Sequence, residues 1–312
     1  MTKGFVTIAT GSENYYRIAA NLLASYRYFT KDPYPFAIIC DRENKYTDLF
    51  DDVVIMNDPA PTRSYMDKVY LPVYAPYDET IFIDSDVLVY RDINCIWDVF
   101  KGAPDFCVLG QAYPVDSEIG WFKKEDAGEF SDKKHYIPEF VGDVYYLRKT
   151  DKLKEFYNTA LYIWEHYTDY KFRTFIYPAD ESVFALAVAV YDFRPADRSR
   201  FPVAFFPLSS YFKEDITTGV LEWTEKFWPQ DVIQSNCYMA HWGSGITRTH
   251  YYKIPRRALY RMISGKNPKD PGADIYKAAL SANLKAKVGA ARVLKKLGVF
   301  DTVRNRIRKL RK

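Results

Sequence analysis

Apolar positions along the first hundred residues follow two periods in turn. Residues 5–10 form a short apolar run ending at Gly11, 35–40 a second ending at Asp41, 53–56 a third, and 80–83 a fourth ending at Asp84. Runs of this length bounded by Gly or Asp read as buried strands. Between the first two, residues 14–29 place Ile18, Leu22, Leu23 and Tyr26 at helical spacing. Between the last two, residues 65–74 can form a helix interrupted near Pro72. Strands separated by helices predict an α/β fold with a parallel sheet covered on both faces. Ligands of such sheets bind at the carboxyl ends of the strands, so Gly11, Asp41 and Asp84 are expected in one cleft.

The second half is less regular. Residues 106–109 and 144–147 are strand candidates, with a polar, aromatic-rich loop over 112–138 between them. A loop this long is usually functional, and ligand-facing lid aromatics are expected among Tyr113, Trp121, Phe122 and Tyr136, with Trp223, Trp228 and Trp242 farther on. Residues 151–167 read as a helix capped by Thr150 or Asp151. Residues 180–191 read as a buried helix, 202–208 and 236–242 as strands, and the chain from 254 as helical with a break at 267–272. The division expected is a catalytic domain over 1–252 and a helical basic extension over 253–312. The longest apolar run, 183–191, is about half of the roughly 20 residues a membrane-spanning helix needs. Residues 1–11 read as a strand and not as a secretory signal.

Composition changes this picture in one place. Of 312 residues, 48% are hydrophobic, which excludes a disordered chain, and 44 basic against 40 acidic residues give a net charge of +4. The charge is uneven. Residues 281–312 hold eleven Lys and Arg and one acid, a local +10, which leaves 33 basic and 39 acidic residues, or −6, in the rest. An acidic body with a basic tail points to an anionic partner surface. Leu284, Val288, Ala291, Leu294 and Leu297, then Val303, Ile307 and Leu310, recur at helical spacing among those cations. That is the pattern of a helix lying in a membrane interface. No nucleic-acid-binding motif accompanies it, so no nucleic-acid partner is expected. Cys40, Cys95, Cys107 and Cys237 match no zinc or CxxC spacing. Reduced thiols and a cytoplasmic location, peripheral at the inner membrane face, are expected.

The stretch Ile81-Phe-Ile-Asp-Ser-Asp-Val-Leu-Val89 carries the most chemistry. Asp84 and Asp86 lie at i and i+2 beside strong strand formers. Buried carboxylates are costly unless paired or bound to metal. Two of them at a strand end can share one hard divalent cation, Mn2+ or Mg2+, that keeps positions open for phosphate oxygens. The same pattern also describes the nucleophile loop of haloacid-dehalogenase-like phosphatases, where it normally follows the first strand and not the fourth.

Together with Tyr65-Met-Asp-Lys-Val-Tyr-Leu-Pro72 and Tyr77-Asp78, this stretch resembles the core signature of the retaining family-8 glycosyltransferases, the group of glycogenin and bacterial lipopolysaccharide glucosyl- and galactosyltransferases. The opening Thr7-Ile-Ala-Thr-Gly11 with Tyr15 and Tyr16, and the late Ala240-His-Trp-Gly-Ser-Gly-Ile-Thr-Arg248, are similar to it as well. The resemblance implies a GT-A fold, a UDP-sugar donor and Mn2+ held by Asp84, Asp86 and His241. It implies donor contacts from Thr10, Gly11, Tyr15, Asp41, Lys68 and Ser85, and a glycan or lipid-linked acceptor. On residue type alone, Lys68 reads equally as a solvated helix face. Two places depart from the family. Phe140-Val-Gly-Asp-Val144 stands where an Asn-Ser-Gly-Val-like stretch is usual, and Asp180-Glu181 where an Asp-Gln pair is usual. Asp143, Asp180 and Glu181 are the candidates for sugar contact or general base. Retention is favoured over inversion on the His241 match. A non-catalytic peripheral membrane protein with a degenerate transferase fold is the remaining alternative.

Overall fold

The computed structural model describes residues 1–268 except 58–60, 63, 118, 123–126, 133–134, 174–177, 207–211, 226–231 and 244. The chain divides into two compact units, Met1–Val203 and Ala204 onward.

The first unit opens with β1 (Lys3–Ala9) and α1 (Glu13–Phe29). Ser12 caps α1 by accepting the Asn14 N–H, a device contributing about 1 kcal/mol. One face of α1 buries Tyr16, Ile18, Leu22, Leu23 and Tyr26. The strands β2 (Phe36–Cys40) and β3 (Asp52–Ile55) follow. Residues Tyr65–Tyr70 then form a 3-10 helix capped by Ser64 and run into the single turn α2 (Leu71–Tyr74). The expected interruption near Pro72 is thus a change of helix type, with Pro72 in the first turn of α2, where its missing N–H is not needed. The rest of the unit is β4 (Glu79–Ile83), β5 (Val87–Val89), α3 (Ile96–Val99), β6 (Phe106–Tyr113), β7 (Ile137–Arg148), α4 (Asp151–Glu165), α5 (Asp180–Val190) and β8 (Ala196–Asp197). Thr150 caps α4 by accepting the Leu153 N–H.

Among the described residues seven strands join one sheet in the order β3-β2-β1-β4-β7-β6-β8. β1 pairs in parallel with β2 and β4, and β2 with β3. The carboxyl ends of β1, β2 and β4 therefore share one edge, as the alternation of elements predicts. β7 runs antiparallel to both β4 and β6, so the sheet is mixed and not parallel throughout. A parallel return needs a crossover element. The described part of 114–136 holds one short 3-10 turn, Gly128–Phe130, in that place.

α5 is apolar on nearly every side and buried from Ser182 to Ala189, as expected of a helix enclosed by its neighbours. Phe184 lies 4.7 Å from Phe106 and 5.0 Å from Tyr145, and Phe106 lies 4.5 Å from Phe156 (ring centroids). Burying each such ring contributes about 1.5–3 kcal/mol. This cluster seats the start of α5, where the acids Asp180 and Glu181 stand, against β7. Phe122 and Tyr136 are buried, so they are core residues and not lid aromatics. Tyr113 and Trp121 are half-buried.

The second unit contains β9 (Val203–Phe205, from the boundary), an antiparallel sheet of β10 (Phe212–Asp215), β11 (Val220–Glu225) and β12 (Val232–Gln234), then β13 (Met239–His241) and α6 (His250–Ile263). Trp223 and Trp242 are buried in it, and Trp228 lies outside the described residues. α6 begins before the expected Ile254. Among the described residues no helix is long and apolar enough to cross a membrane. The amphipathic pattern over 284–310 and its cations lie outside the described residues. Cys40, Cys107 and Cys237 are buried thiols and Cys95 an exposed one.

Candidate active site

At the shared edge, Gly11 turns the chain after β1 with φ +75°, a conformation that favours glycine. Its N–H donates to both carboxylate oxygens of Asp41, each at 3.2 Å. The Tyr16 hydroxyl also donates to Asp41, and Arg42 pairs with it at 3.2 Å. Burial alone would raise the Asp41 carboxyl; the bonds from Tyr16 and Gly11 and the charge of Arg42 outweigh it and hold it below the usual range. Arg42 also donates to the Gly11 carbonyl at 2.7 Å, with its guanidinium 5.2 Å from the Tyr16 ring centre. Asp41 thus ties the ends of β1 and β2 together. Tyr16 belongs to the core, while Tyr15 is half-buried in the first turn of α1. The Thr10 hydroxyl donates to the buried Asp67 at 2.8 Å, and Asp67 accepts from the Thr62 N–H at 2.7 Å.

Lys68 is 6% exposed, so the solvated-face reading of it fails. Its ammonium donates to Asp84 Oδ2 at 2.7 Å and to the Gly142 carbonyl at 2.9 Å, and lies 3.4 Å from Asp180 Oδ2. Burial alone would lower its pKa; the negative charges of Asp180, Asp84 and Glu181 outweigh that and raise it. Asp180 does not cap α5, a position held by Ala179. It is 2% exposed and accepts the Tyr145 hydroxyl at 2.7 Å. Glu181 accepts the Gly142 N–H at 3.3 Å. Burial first, then the neighbouring Asp180 charge, lift its carboxyl well above the usual carboxylate range, against the pull of Lys68.

Gly142 is the hinge of this cluster. A Cβ there would sit 2.7 Å from the Tyr145 hydroxyl, 2.9 Å from Asp180 Oδ2 and 3.0 Å from Glu181 Oε1. Positions 142 and 145 of a regular strand face opposite sides. The β6–β7 register is irregular between Val108 and Gly110, opposite this stretch, and both positions meet the same acids.

The turn after β4 is held by its backbone. The Asp84 N–H donates to the Asp143 carbonyl at 3.0 Å, the Ser85 N–H to Asp84 Oδ1 at 3.0 Å, and the Val87 N–H to the Asp84 carbonyl at 3.2 Å. Ser85 and Asp86 are buried, and Asp84 is partly exposed. The fully buried Asp143 side chain lies 3.4 Å from the Arg198 guanidinium, which also donates to the Val203 carbonyl at 3.2 Å. In the second unit, His241 ends β13, is 7% exposed, and has its ring 4.9 Å from Phe205. Gly243, two residues on, adopts φ +73° and turns the chain.

No protein-family model and no curated protein matches the chain. It is similar to solved glycosyltransferase structures. One is an active-site mutant of LgtC, at 15% identity and TM-score 0.46, covering 83% of this chain and 95% of that one. A second is the galactosyltransferase LgtC in complex with donor and acceptor sugar analogues, at 14% identity and TM-score 0.47, covering 86% and 98%. A third is the apo bifunctional glycosyltransferase WbbM, at 13% identity and TM-score 0.46, covering 78% of this chain and 46% of that one. Likeness of this degree assigns no function by itself.

The site residues missed in the sequence are Tyr145, Gly142 and Arg198. No motif marks Tyr145, because its position beside Asp180 depends on the irregular strand register. Gly142 left a readable signal: a glycine inside a run that otherwise reads as strand marks a close approach.

Proposed function

We propose that the chain is a metal-dependent hexosyltransferase of GT-A type, moving sugar from a UDP-sugar to a glycan or glycolipid acceptor in surface polysaccharide assembly. The observation that carries this reading is the Asp84-Ser85-Asp86 turn at the carboxyl edge of the parallel strands, backed by the Lys68–Asp180–Glu181 cluster. The resemblance supplies Asp84, Asp86 and His241 as the donors, and two carboxylates with one imidazole fit a cation such as Mn2+ better than one taking oxygen alone. When bound, that cation would neutralise charge on the departing nucleoside diphosphate. The chain's own groups do the rest in this reading. Gly11, Asp41 and Tyr15 receive the nucleoside end. Lys68 holds Asp84 and Asp180 in line with each other. Asp180, fixed by Tyr145, receives the sugar hydroxyls, and retention is the proposed outcome.

The test is hydrolysis of a UDP-hexose panel with and without Mn2+, with the released anomer read by proton NMR. Metal-dependent release of one sugar is the expected result. No release, together with no UDP-induced rise in melting temperature across the panel, would sink the reading.

We place the protein at the inner face of a membrane on the charge pattern of its tail. Lys285, Lys287, Arg292 and the basic residues after them supply the cations, each contributing about 1 kcal/mol near an anionic leaflet. Co-sedimentation with phosphatidylglycerol vesicles should be lost on truncation after Ser281 while donor hydrolysis persists. Unchanged vesicle binding would refute the role of the tail.

A further inference from the structure

The 3-10 helix Tyr65–Tyr70 brings a second side chain, besides Lys68, to the acids of α5. The residues Met66 to Tyr70 are buried, whereas Tyr65 is 38% exposed. A 3-10 helix turns every three residues, so side chains at i and i+3 stand one above the other. Tyr65 therefore shares a face with Lys68, whose ammonium meets Asp84 and Asp180. The helix packs against α5, which begins with Asp180 and Glu181. Burial first, then the negative charges of Asp180 and Glu181, push the Tyr65 hydroxyl up to about 12. The hydroxyl thus keeps its proton at neutral pH, and it makes no hydrogen bond among the described residues. The backbone under the ring is fixed. Ser64 accepts the Met66 N–H at 3.1 Å and Asp67 accepts the Thr62 N–H at 2.7 Å, so two bonds bridge position 65. A lone exposed aromatic is ordinary; this one stands at the rim of a buried charge cluster.

We infer that Tyr65 is a sugar-contacting residue, its ring the platform on which one face of a hexopyranose packs while the sugar hydroxyls turn to Asp180 and Glu181. The ligand class rests on the transferase reading of the same site. A hexopyranose carries C–H bonds on its face and hydroxyls around its rim. The face of a tyrosine ring is negative and attracts C–H groups, and carboxyl oxygens accept from hydroxyls. The ring and the two acids together match both parts of the sugar. A phosphate in the same place would be repelled by the charges that act on the Tyr65 hydroxyl. A ring on a fixed backbone also loses little freedom when a ligand settles on it. The hexose could be that of the donor or that of the acceptor, and the experiment separates these sources.

Saturation-transfer NMR of the full chain with methyl glucoside, methyl galactoside and methyl mannoside should show transfer to the C–H protons of one of them. Tyr65→Ala should abolish that transfer, and Tyr65→Phe, which keeps the ring, should retain it. Because Tyr65 is exposed, both variants should melt close to the native temperature, which controls for folding. The second arm measures KM for the UDP-hexose that the native protein hydrolyses, beside the affinity for UDP alone from titration calorimetry. A KM raised about fivefold or more in Tyr65→Ala, at unchanged UDP affinity, identifies the donor hexose as the sugar on the ring. An unchanged KM with lost hexoside transfer identifies an acceptor sugar. Tyr65-dependent transfer in a protein that turns over no UDP-hexose would leave the sugar platform standing and the transferase reading fallen. The inference is overturned if Tyr65→Ala alters neither hexoside transfer nor KM, or if no hexoside receives saturation and no UDP-hexose is turned over. A KM rise matched by an equal loss of UDP affinity, with hexoside transfer intact, overturns it as well.

Discussion

Replacing Lys68 by Met should destabilise the protein by about 3–5 kcal/mol, the cost of removing one partner from a buried ion pair. The variant leaves Asp84 and Asp180 without the ammonium that lies 2.7 and 3.4 Å from them. Glu181, already raised by burial and by Asp180, loses the opposing pull of the Lys68 charge. The pH dependence gives this loss a signature. In the native protein the Lys68 pKa is raised, so its contribution is complete below the ordinary lysine pKa and lost only as pH climbs through the raised value. In the variant the Glu181 carboxyl, already raised in the native protein, rises further for want of the Lys68 charge. A raised carboxyl costs stability that is absent below its unfolded pKa and grows until pH reaches the folded value. Denaturant unfolding at several pH values should therefore show a deficit that widens as pH rises above about 8, the native Glu181 value. A deficit independent of pH would mean that Lys68 acts through packing alone. Donor hydrolysis should also fall, because Asp84 and Asp180 lose the group that aligns them.

Asp86→Asn should lower metal-dependent donor hydrolysis by about 100-fold or more. A catalytic cation contributes several kcal/mol, and each 1.36 kcal/mol is a factor of ten. Asn keeps the volume and one carbonyl oxygen but removes the charge. Asp86 is 7% exposed. With Mn2+, the native melting temperature should rise and that of the variant should not. Full Mn2+-dependent activity in the variant would remove Asp86 from the site. The His241→Ala variant tests the third ligand in the same assay. A Mn2+ response undiminished there, with that of Asp86→Asn abolished, would leave the two aspartates as the protein ligands.

Much of the first unit was legible in the sequence, for a local reason. The runs at 5–10, 35–40 and 80–83 each bury most or all of a strand, so apolar character, β-branching and a bounding Gly or Asp all agree. The DxD turn was legible because two acids next to Ile81-Phe-Ile83 contradict their surroundings unless they have a task. Lys68 was not legible. Its helix is short and mixed in polarity, and a lysine there reads as a solvated face until β4, β7 and α5 enclose it. Asp180 was readable as an acid at a helix start, but that reading favours a cap. Its bonds to Tyr145 and Lys68 join residues 35 and 112 positions apart.

What the sequence determined by itself is the set of β1, β2 and β4 edge residues, the carboxylate pair at 84 and 86, and the concentration of cations after residue 245. Each depends on composition and period over a few neighbouring positions. The tertiary structure alone decided that β7 inserts antiparallel between β4 and β6 and carries Gly142 to the acids of α5. It also decided that one ammonium serves Asp84 and Asp180. Strand order is set by which apolar faces bury best against one another. Charge pairing follows from that burial, and neither is written in the spacing of any short segment.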